Sequence, residues 1–276
     1  MFRLRWGYLI SGIITGCMLL VSFITSLPDG KLHLVFCDVG QGDAAYIRFP
    51  DGRDMLVDGG PNDRVIACLS RHMPFWDREI DLVIMSHPQK DHIAGLVSVL
   101  ARYRAGYVVH SRATEPSDLY EKLKNVMAEK AVMVKVVSRG EHIVVGPVIL
   151  SVLGPGGTSG DVNSQSLVFA LNYGSFDALF PGDAPLLPSF AGQAAGALEV
   201  LKVPHHGSRT GLVPSILELV HPAVAVISVG NNSFGHPSPE VVTTLTQIGA
   251  RILRTDQTGD IEVVSDGRNW SVRSAQ

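Results

Sequence analysis

Ser86-His87-Pro88-Gln89-Lys90-Asp91-His92 follows directly on the apolar run Leu82–Met85, and its reading decides the fold. Two imidazoles and a carboxylate crowded just past a strand's end can converge on one cation, because a tight loop turns alternate side chains inward. A solvated turn before a helix, with Asp91 as N-cap, would use the same residues. The next stretch, Ile93–Tyr103, carries apolar positions at Ile93, Leu96, Val97 and Leu100 and reads as a helix. The segment is therefore a strand–loop–helix joint, the kind of place where a rigid scaffold presents functional groups.

Working outward, four further clusters place polar residues immediately after an apolar strand. They are Asp58-Gly59-Gly60 after Met55–Val57, Phe180-Pro181-Gly182-Asp183, Leu201-Lys202-Val203-Pro204-His205-His206-Gly207-Ser208, and Asn231 to Pro237 after Ala225–Val229. Taken singly, a Gly-Asp after a strand is an ordinary turn. Adjacent histidines after an apolar strand are much less common, and Ser208, Arg209 and Thr210 set phosphate-type donors beside them.

The bulk composition narrows the chemistry. The chain has 276 residues, 46% hydrophobic and only 18% charged, with a net charge of -3. That fills a real core but is not a basic nucleic-acid-binding composition, so any nucleic-acid contact has to come from a local patch or a metal. Ten histidines against three cysteines point to imidazole and carboxylate ligands rather than thiolates. Cys17, Cys37 and Cys68 have no CxxC spacing, and an odd count closes no disulfide framework. A Cys37–Cys68 bridge would need an oxidising compartment; the expectation adopted is two free, buried thiols.

Residues 1–30 stand apart from 31–276. Arg3 and Arg5 precede an uncharged, mostly apolar run from Trp6 to Pro28, long enough as a helix to cross a hydrocarbon core of about 30 Å. No A-x-A-like cleavage site is evident. Ile14-Thr15-Gly16-Cys17 resembles a lipobox, but the apolar run continues past Cys17 through Ile24. The expectation is a signal-anchor, with a signal peptide as the alternative; positive charge at its start keeps that end cytoplasmic and the remainder outside. Membrane contact is expected through this segment, and the sequence points to no protein partner.

From Lys31 the chain reads as short strands and helices with dense glycine punctuation. Strands are predicted at Leu32–Asp38, Ala44–Phe49, Asp54–Val57, Leu82–Met85 and Gly106–His110, with helices at Val65–His72 and Ser117–Glu129. Strands then follow at Val132–Val137, His142–Val145 and Ile149–Leu153, and after a glycine-rich loop, Gly154–Gly160, at Ser166–Tyr173 and Ala178–Pro181. The last part holds strands at Leu198–Val203 and Ala223–Val229, helices at Leu212–Val220 and Glu240–Ile248, and two short strands. A strand-rich half followed by helix, then the same theme again, fits an α/β (α+β) architecture. Two sheets packed face to face with helices outside make a four-layer αββα sandwich.

Eight motifs in order carry a family resemblance. Asp38-Val39-Gly40-Gln41-Gly42-Asp43, Leu56-Val57-Asp58-Gly59-Gly60, Ser86-His87 through Asp91-His92-Ile93-Ala94-Gly95-Leu96, and Asn163-Ser164-Gln165-Ser166-Leu167 come first. Pro181-Gly182-Asp183, His205-His206-Gly207-Ser208, Gly235-His236-Pro237 and Arg254-Thr255-Asp256-Gln257-Thr258-Gly259 complete the series. Together, over about residues 31–265, the chain resembles the metallo-β-lactamase-type domain of ComEC-type DNA-uptake proteins and their stand-alone relatives. This stretch does not include the multi-helix competence domain and channel, and the expectation is that by itself it is no uptake channel.

The resemblance implies one or two zinc or manganese ions on a His-x-(His or Asp)-x-Asp-His motif. It assigns His87, Asp91, His92, Asp183 and a late histidine, His205, to metal. Asp91, His206 and His236 are assigned to catalysis, although chain order alone does not divide the ligand, acid and oxyanion-donor roles among His205, His206 and His236. Asn163, Ser166, Lys202, Ser208 and Thr210 are expected to hold substrate, and Asp38 and Asp58 to orient ligands. Gln89 departs from the pattern. A neutral amide replaces a carboxylate or imidazole, so one ion is expected to keep only His87 and Asp183 and to bind weakly. The expected activity is hydrolysis of a phosphodiester in DNA or RNA by a metal-activated water. Hydrolysis of another ester, thioester or lactam, or a non-catalytic exported role with a decayed metal site, are the alternatives.

Overall fold

A computed structural model describes residues 6–25, 27–155, 160–191, 198–212 and 214–274. Arg3, Arg5 and residues 156–159 of the glycine-rich loop lie outside the described residues. One sheet holds β1 (Leu32–Phe36), β2 (Ala45–Arg48), β3 (Asp54–Val57), β4 (Glu79–Met85), β5 (Arg104–His110) and β6 (Met133–Val136) in that spatial order. The second holds β7 (His142–Val145), β8 (Val148–Gly154), β9 (Val168–Tyr173), β10 (Phe176–Phe180), β11 (Val200–Lys202), β12 (Val224–Ile227) and β13 (Arg251–Arg254). β14 (Ile261–Ser265) and β15 (Trp270–Ser274) return to the first sheet and extend it beyond β1. The chain thus closes three strands after its last long helix, where the sequence predicts two.

Helix α1 (Trp6–Thr25) is long and apolar enough to cross a membrane. Helices α2 (Arg64–His72), α3 (Lys90–Arg102) and α4 (Asp118–Glu129) cover the outer face of the first sheet. Helices α5 (Pro188–Ala191), α6 (Pro214–Val220) and α7 (Pro239–Gln247) cover the second; α8 (Thr255–Thr258) is a single turn after β13. The layers are αββα, and the strand patterning explains why. Leu32, Leu34 and Phe36 of β1 point between the sheets, whereas Val35 packs under the helices; Leu82 and Ile84 of β4 repeat this inside, with Val83 and Met85 outside. Such strands are buried on both faces and so read as unbroken apolar runs. The inter-sheet core centres on Phe36, Phe169, Phe176 and Phe180, with Phe169 stacked on Phe180 at 4.9 Å between centroids.

One expectation and one alternative reading are corrected. Cys37 and Cys68 are joined in a disulfide, with Cα atoms 5.8 Å apart, instead of standing as free thiols. Cys37 ends the outward-facing row of β1 where α2 packs, which brings it against Cys68; chain order alone hides that proximity. The bridge ties α2 to the sheet across a separation of 31 residues. Loop-closure entropy puts its contribution at about 3–4 kcal/mol. Asp91 is not the N-cap of α3 either. Gln89 occupies that position and Asp91 lies in the first turn, where its charge complements the helix dipole.

Candidate metal centre

Parallel pairing of β3, β4 and β5, and of β10, β11 and β12, gathers the loops at their C-terminal ends at one end of the sandwich. His87 follows β4, Asp91 and His92 open α3, Asp183 follows β10, and His205 and His206 form a 3-10 turn, Pro204–Gly207, after β11. Asp43 enters from the turn before β2. Its backbone N–H donates to the Asp91 carbonyl at 3.1 Å. Gly42 makes that approach possible, since a Cβ there would stand 2.3 Å from the same oxygen. Asp58, His205 and His206 have φ of 57, 49 and 53°, left-handed conformations that cost a side-chain-bearing residue about 1–2 kcal/mol each. Three such residues around one centre mark a place where geometry is held against local preference.

Ligand atoms of Asp43, His92, Asp183 and His206 lie within 4.8 Å of one another, and all four residues are buried. The two rings are aimed by their other nitrogens. His92 Nδ1 is 2.8 Å from Asp58 Oδ2, leaving Nε2 3.3 Å from Asp183 Oδ1. His206 Nδ1 donates to the Ser228 carbonyl at 3.0 Å, leaving Nε2 3.3 Å from Asp91 Oδ2 and 3.7 Å from Asp183 Oδ2. Asp58 also accepts from Ser86 N–H at 2.8 Å and from Ser86 Oγ–H at 2.6 Å. Each imidazole is thus fixed in orientation by a second partner, as ligating histidines generally are.

The donor set fits a divalent cation. Both Asp183 oxygens, Asp43 Oδ1 and His92 Nε2 are buried without a hydrogen-bond partner. Unpaired buried polar atoms are costly, and a cation at their focus relieves all four. Electrostatics agree. Burial would raise Asp183, but His92 and His206 hold it well below the usual carboxylate range. Burial likewise opposes ionisation of Asp43, which Lys202, His206 and His92 keep below that range. The same pairing works in reverse on the rings. Against burial, Asp183 and Asp58 hold His92 well above its ordinary value, and Asp183 and Asp43 raise His206 to about 9. Both rings are thus pushed toward their protonated forms, with which a cation would compete.

The adjoining half of the site is different. His87 Nε2 is 3.3 Å from Gln89 Oε1, and its Nδ1 is shared by Ser86 Oγ at 3.1 Å and Ser166 Oγ at 3.2 Å. Burial, reinforced by the charge of His92, lowers His87 to about 4, so it is a neutral ring beside a neutral amide.

Of the residues expected in the site, the structure brings His87, Asp91, His92 and Asp183 together. It places His206, not His205, in the convergent group: His206 is 1% exposed, whereas the half-buried His205 has its Nε2 3.8 Å from Asp183 Oδ2. His236 stands further out, its ring 5.6 Å from that of His205, with Nδ1 buried and unpartnered. Two expected substrate contacts are displaced. Ser166 is fully buried; its hydroxyl donates to the Asn163 carbonyl at 2.7 Å and accepts from Asp183 N–H at 3.3 Å, so it braces ligands. The Lys202 ammonium is buried on the Asp43 carboxylate, 4.0 Å from Asp183 Oδ1, and points into the cluster of candidate ligands. Asn163 keeps its Oδ1 buried and unpartnered; Ser208 and Thr210 bond to each other at 3.1 Å on the loop after the histidines. Asp38 turns away from the centre, its Oδ1 accepting from Gly40 N–H at 3.2 Å, whereas Asp58 meets His92 directly. Asp43 was not singled out in the sequence. Its signal was present in the glycine-flanked turn Gly40-Gln41-Gly42-Asp43, which reads as a hairpin loop until its proximity to Asp91 is known.

Fold and site together define a class. The family model of the metallo-β-lactamase superfamily matches residues 37–231, and the chain belongs to that superfamily. Within it, the chain is 26% identical to ComE operon protein 3 of Bacillus subtilis over 92% of its own length and 36% of that protein's. It is also 26% identical to Recombination protein 2 of Haemophilus influenzae (91% and 31% covered) and to Competence protein ComA of Neisseria gonorrhoeae (89% and 34%). The chain therefore spans about a third of the length of these relatives, and the resemblance read from the ordered motifs is shown. Among solved structures, the fold matches the metallo-β-lactamase fold protein YhfI of Bacillus subtilis with a TM-score of 0.58 at 13% identity, covering 83% of this chain and 98% of that one. Zinc-bound PqqB from Methylobacterium extorquens matches with a TM-score of 0.54 at 14% identity, covering 81% and 97%.

Proposed function

We propose that the protein is a metal-dependent phosphodiesterase acting on DNA or RNA, held at a membrane by α1 with the sandwich on the extracytoplasmic side. The observation that carries the catalytic reading is the convergence of buried ligand atoms from Asp43, His92, Asp183 and His206 on one point, with atoms of the first three unpartnered. His92, Asp183 and His206 would hold a zinc or manganese ion, with Asp91 and Asp43 beside it. Such an ion supplies positive charge against a phosphoryl group and acidifies water.

The chain's own groups do the rest. Asp91, half exposed at the mouth and 3.3 Å from His206, is placed to accept a proton from an incoming water. His236, lowered by burial and by the nearby charges of His205 and His206, sits on the outer rim as a proton relay to a departing oxygen. Lys202 stays on Asp43 and offsets the carboxylate charge of the centre. The names of the relatives, a competence protein and a recombination protein among them, support nucleic acid as the substrate. A disulfide suits an oxidising compartment and supports the extracytoplasmic placement.

The test is cleavage of single- and double-stranded DNA and RNA by the full chain with zinc or manganese, wild type against Asp183→Ala. The reading requires cleavage that Asp183→Ala abolishes. Equal cleavage by both proteins, or none by a metal-loaded wild type, would overturn it.

A further inference from the structure

The end of the sandwich opposite the metal centre carries its own surface. β3, β4, β5 and β6 run parallel, so the segments that feed their first residues, Asp54, Glu79, Arg104 and Met133, all gather there. β1 begins at the same end, because His33 pairs with Arg48 and Arg48 with Asp54. Helix α1 therefore leaves the fold from this end. A strand of seven residues separates it from the metal loop, roughly 20 Å.

Two features sit beside the exit of α1. Phe75 and Trp76, in the loop before β4, are 53% and 38% exposed, and the Trp76 ring lies 4.7 Å from that of Phe23 near the end of α1. Next to them opens a groove of about 910 Å³ with Arg78, Arg102, Arg104 and Lys130 on its walls. Among the described residues none of these four forms an ion pair with a carboxylate. Arg78 and Arg102 donate only to backbone carbonyls, of Asp77 and Ser98. Of the acids that line the same groove, Asp81 is engaged by the Asp54 N–H at 2.8 Å, which leaves Glu79 against four cations.

We propose that this end rests on the bilayer that α1 enters. Phe75 and Trp76 lie in the interfacial layer, and Arg78, Arg102, Arg104 and Lys130 lie against the phosphates of anionic phospholipids. Aromatic rings flanking a spanning helix and clustered cations beside it are the two features that such an interface selects. The occupant is a lipid surface, because Arg78 on the groove's wall lies two residues after Trp76, whose ring packs on Phe23 of α1. The consequence is an orientation: the metal centre faces away from the bilayer, open to a polymer arriving from solution. The proposal rests on α1 being a spanning helix.

Energy transfer from a fluorophore to a headgroup-labelled lipid tests both. The full chain with Cys17→Ser carries the dye at either Met133→Cys or Phe234→Cys, one at each end, and is reconstituted into vesicles of phosphatidylcholine and phosphatidylglycerol at about three to one. Transfer from position 133 should exceed that from 234 about threefold, given the strand length between the two ends. On pure phosphatidylcholine, or after Arg78, Arg102, Arg104 and Lys130 are all changed to Gln, the excess should shrink by about half while the chain still floats with the vesicles. Equal transfer from both positions in a chain that floats after alkaline extraction would overturn the docking and leave the anchor standing. A chain that does not float would overturn the anchor, and the docking with it. The wild-type comparison of the two lipid compositions keeps the charge test valid even if the fourfold variant misfolds.

Discussion

The two halves of the metal centre share Asp183 and Ser86 but differ in every other respect. On one side His92 and His206 are pinned at Nδ1 by Asp58 and the Ser228 carbonyl, and two further carboxylates stand near. On the other, His87 faces an amide and two hydroxyls. The first half concentrates negative charge and oriented nitrogen; the second offers one neutral ring and no carboxylate of its own. On the proposed reading, such a contrast leaves the loops of a two-ion centre in place but only one half with the donor set for a tight ion.

The largest expected effect comes from removing what the halves share. Asp183→Ala should lower bound metal to background and activity by at least about a hundredfold, measured by metal analysis and nucleic-acid cleavage. Asp58→Ala touches no ion yet frees His92 and Ser86, so metal affinity should fall about 10–100-fold in a chelator competition. An unchanged affinity would mean that the tight half does not depend on ring orientation.

The next effect is on pH. A cation competes with the protons held by His206, raised to about 9, and by His92, raised well above 6.5, so its affinity should rise by at least about tenfold per unit between pH 6.5 and 9. The folding stability of the metal-free chain has the opposite sign. His206 has its folded pKa raised above 6.5, so its contribution is fully present below 6.5 and lost as pH rises through about 9. Chelator titrations and thermal melts across that range check the two slopes. The smallest change is a gain. Gln89→Asp adds a carboxylate to the poor half and should raise metal content toward two ions per chain, with a several-fold increase in cleavage. Lower activity in that variant would show that the amide is not a weakened ligand position.

Much of this was legible in the sequence, for identifiable reasons. Strands buried on both faces leave apolar runs such as Leu82–Met85, and the candidate site residues follow them directly, so the αββα layering and the clustering of His87, Asp91, His92 and Asp183 at one end are legible in order. What escaped depends on distant segments meeting. Asp43 looks like part of a turn until Gly42 lets it pack on the Asp91 carbonyl. Ser166 and Lys202 have the chemistry of substrate contacts, but burial turns them inward onto His87 and Asp43. The choice between His205 and His206 is set by a left-handed backbone at both residues, which no side-chain pattern announces. The Cys37–Cys68 bridge has the same origin, since it depends on α2 lying over the end of β1.

The claim that the centre holds one tight ion on His92, Asp183 and His206 is tested most directly by metal stoichiometry after dialysis, for wild type, His87→Ala and His206→Ala. About one zinc or manganese per chain is expected in the wild type and in His87→Ala, with loss in His206→Ala. Two ions in the wild type, or loss in His87→Ala with retention in His206→Ala, would contradict it.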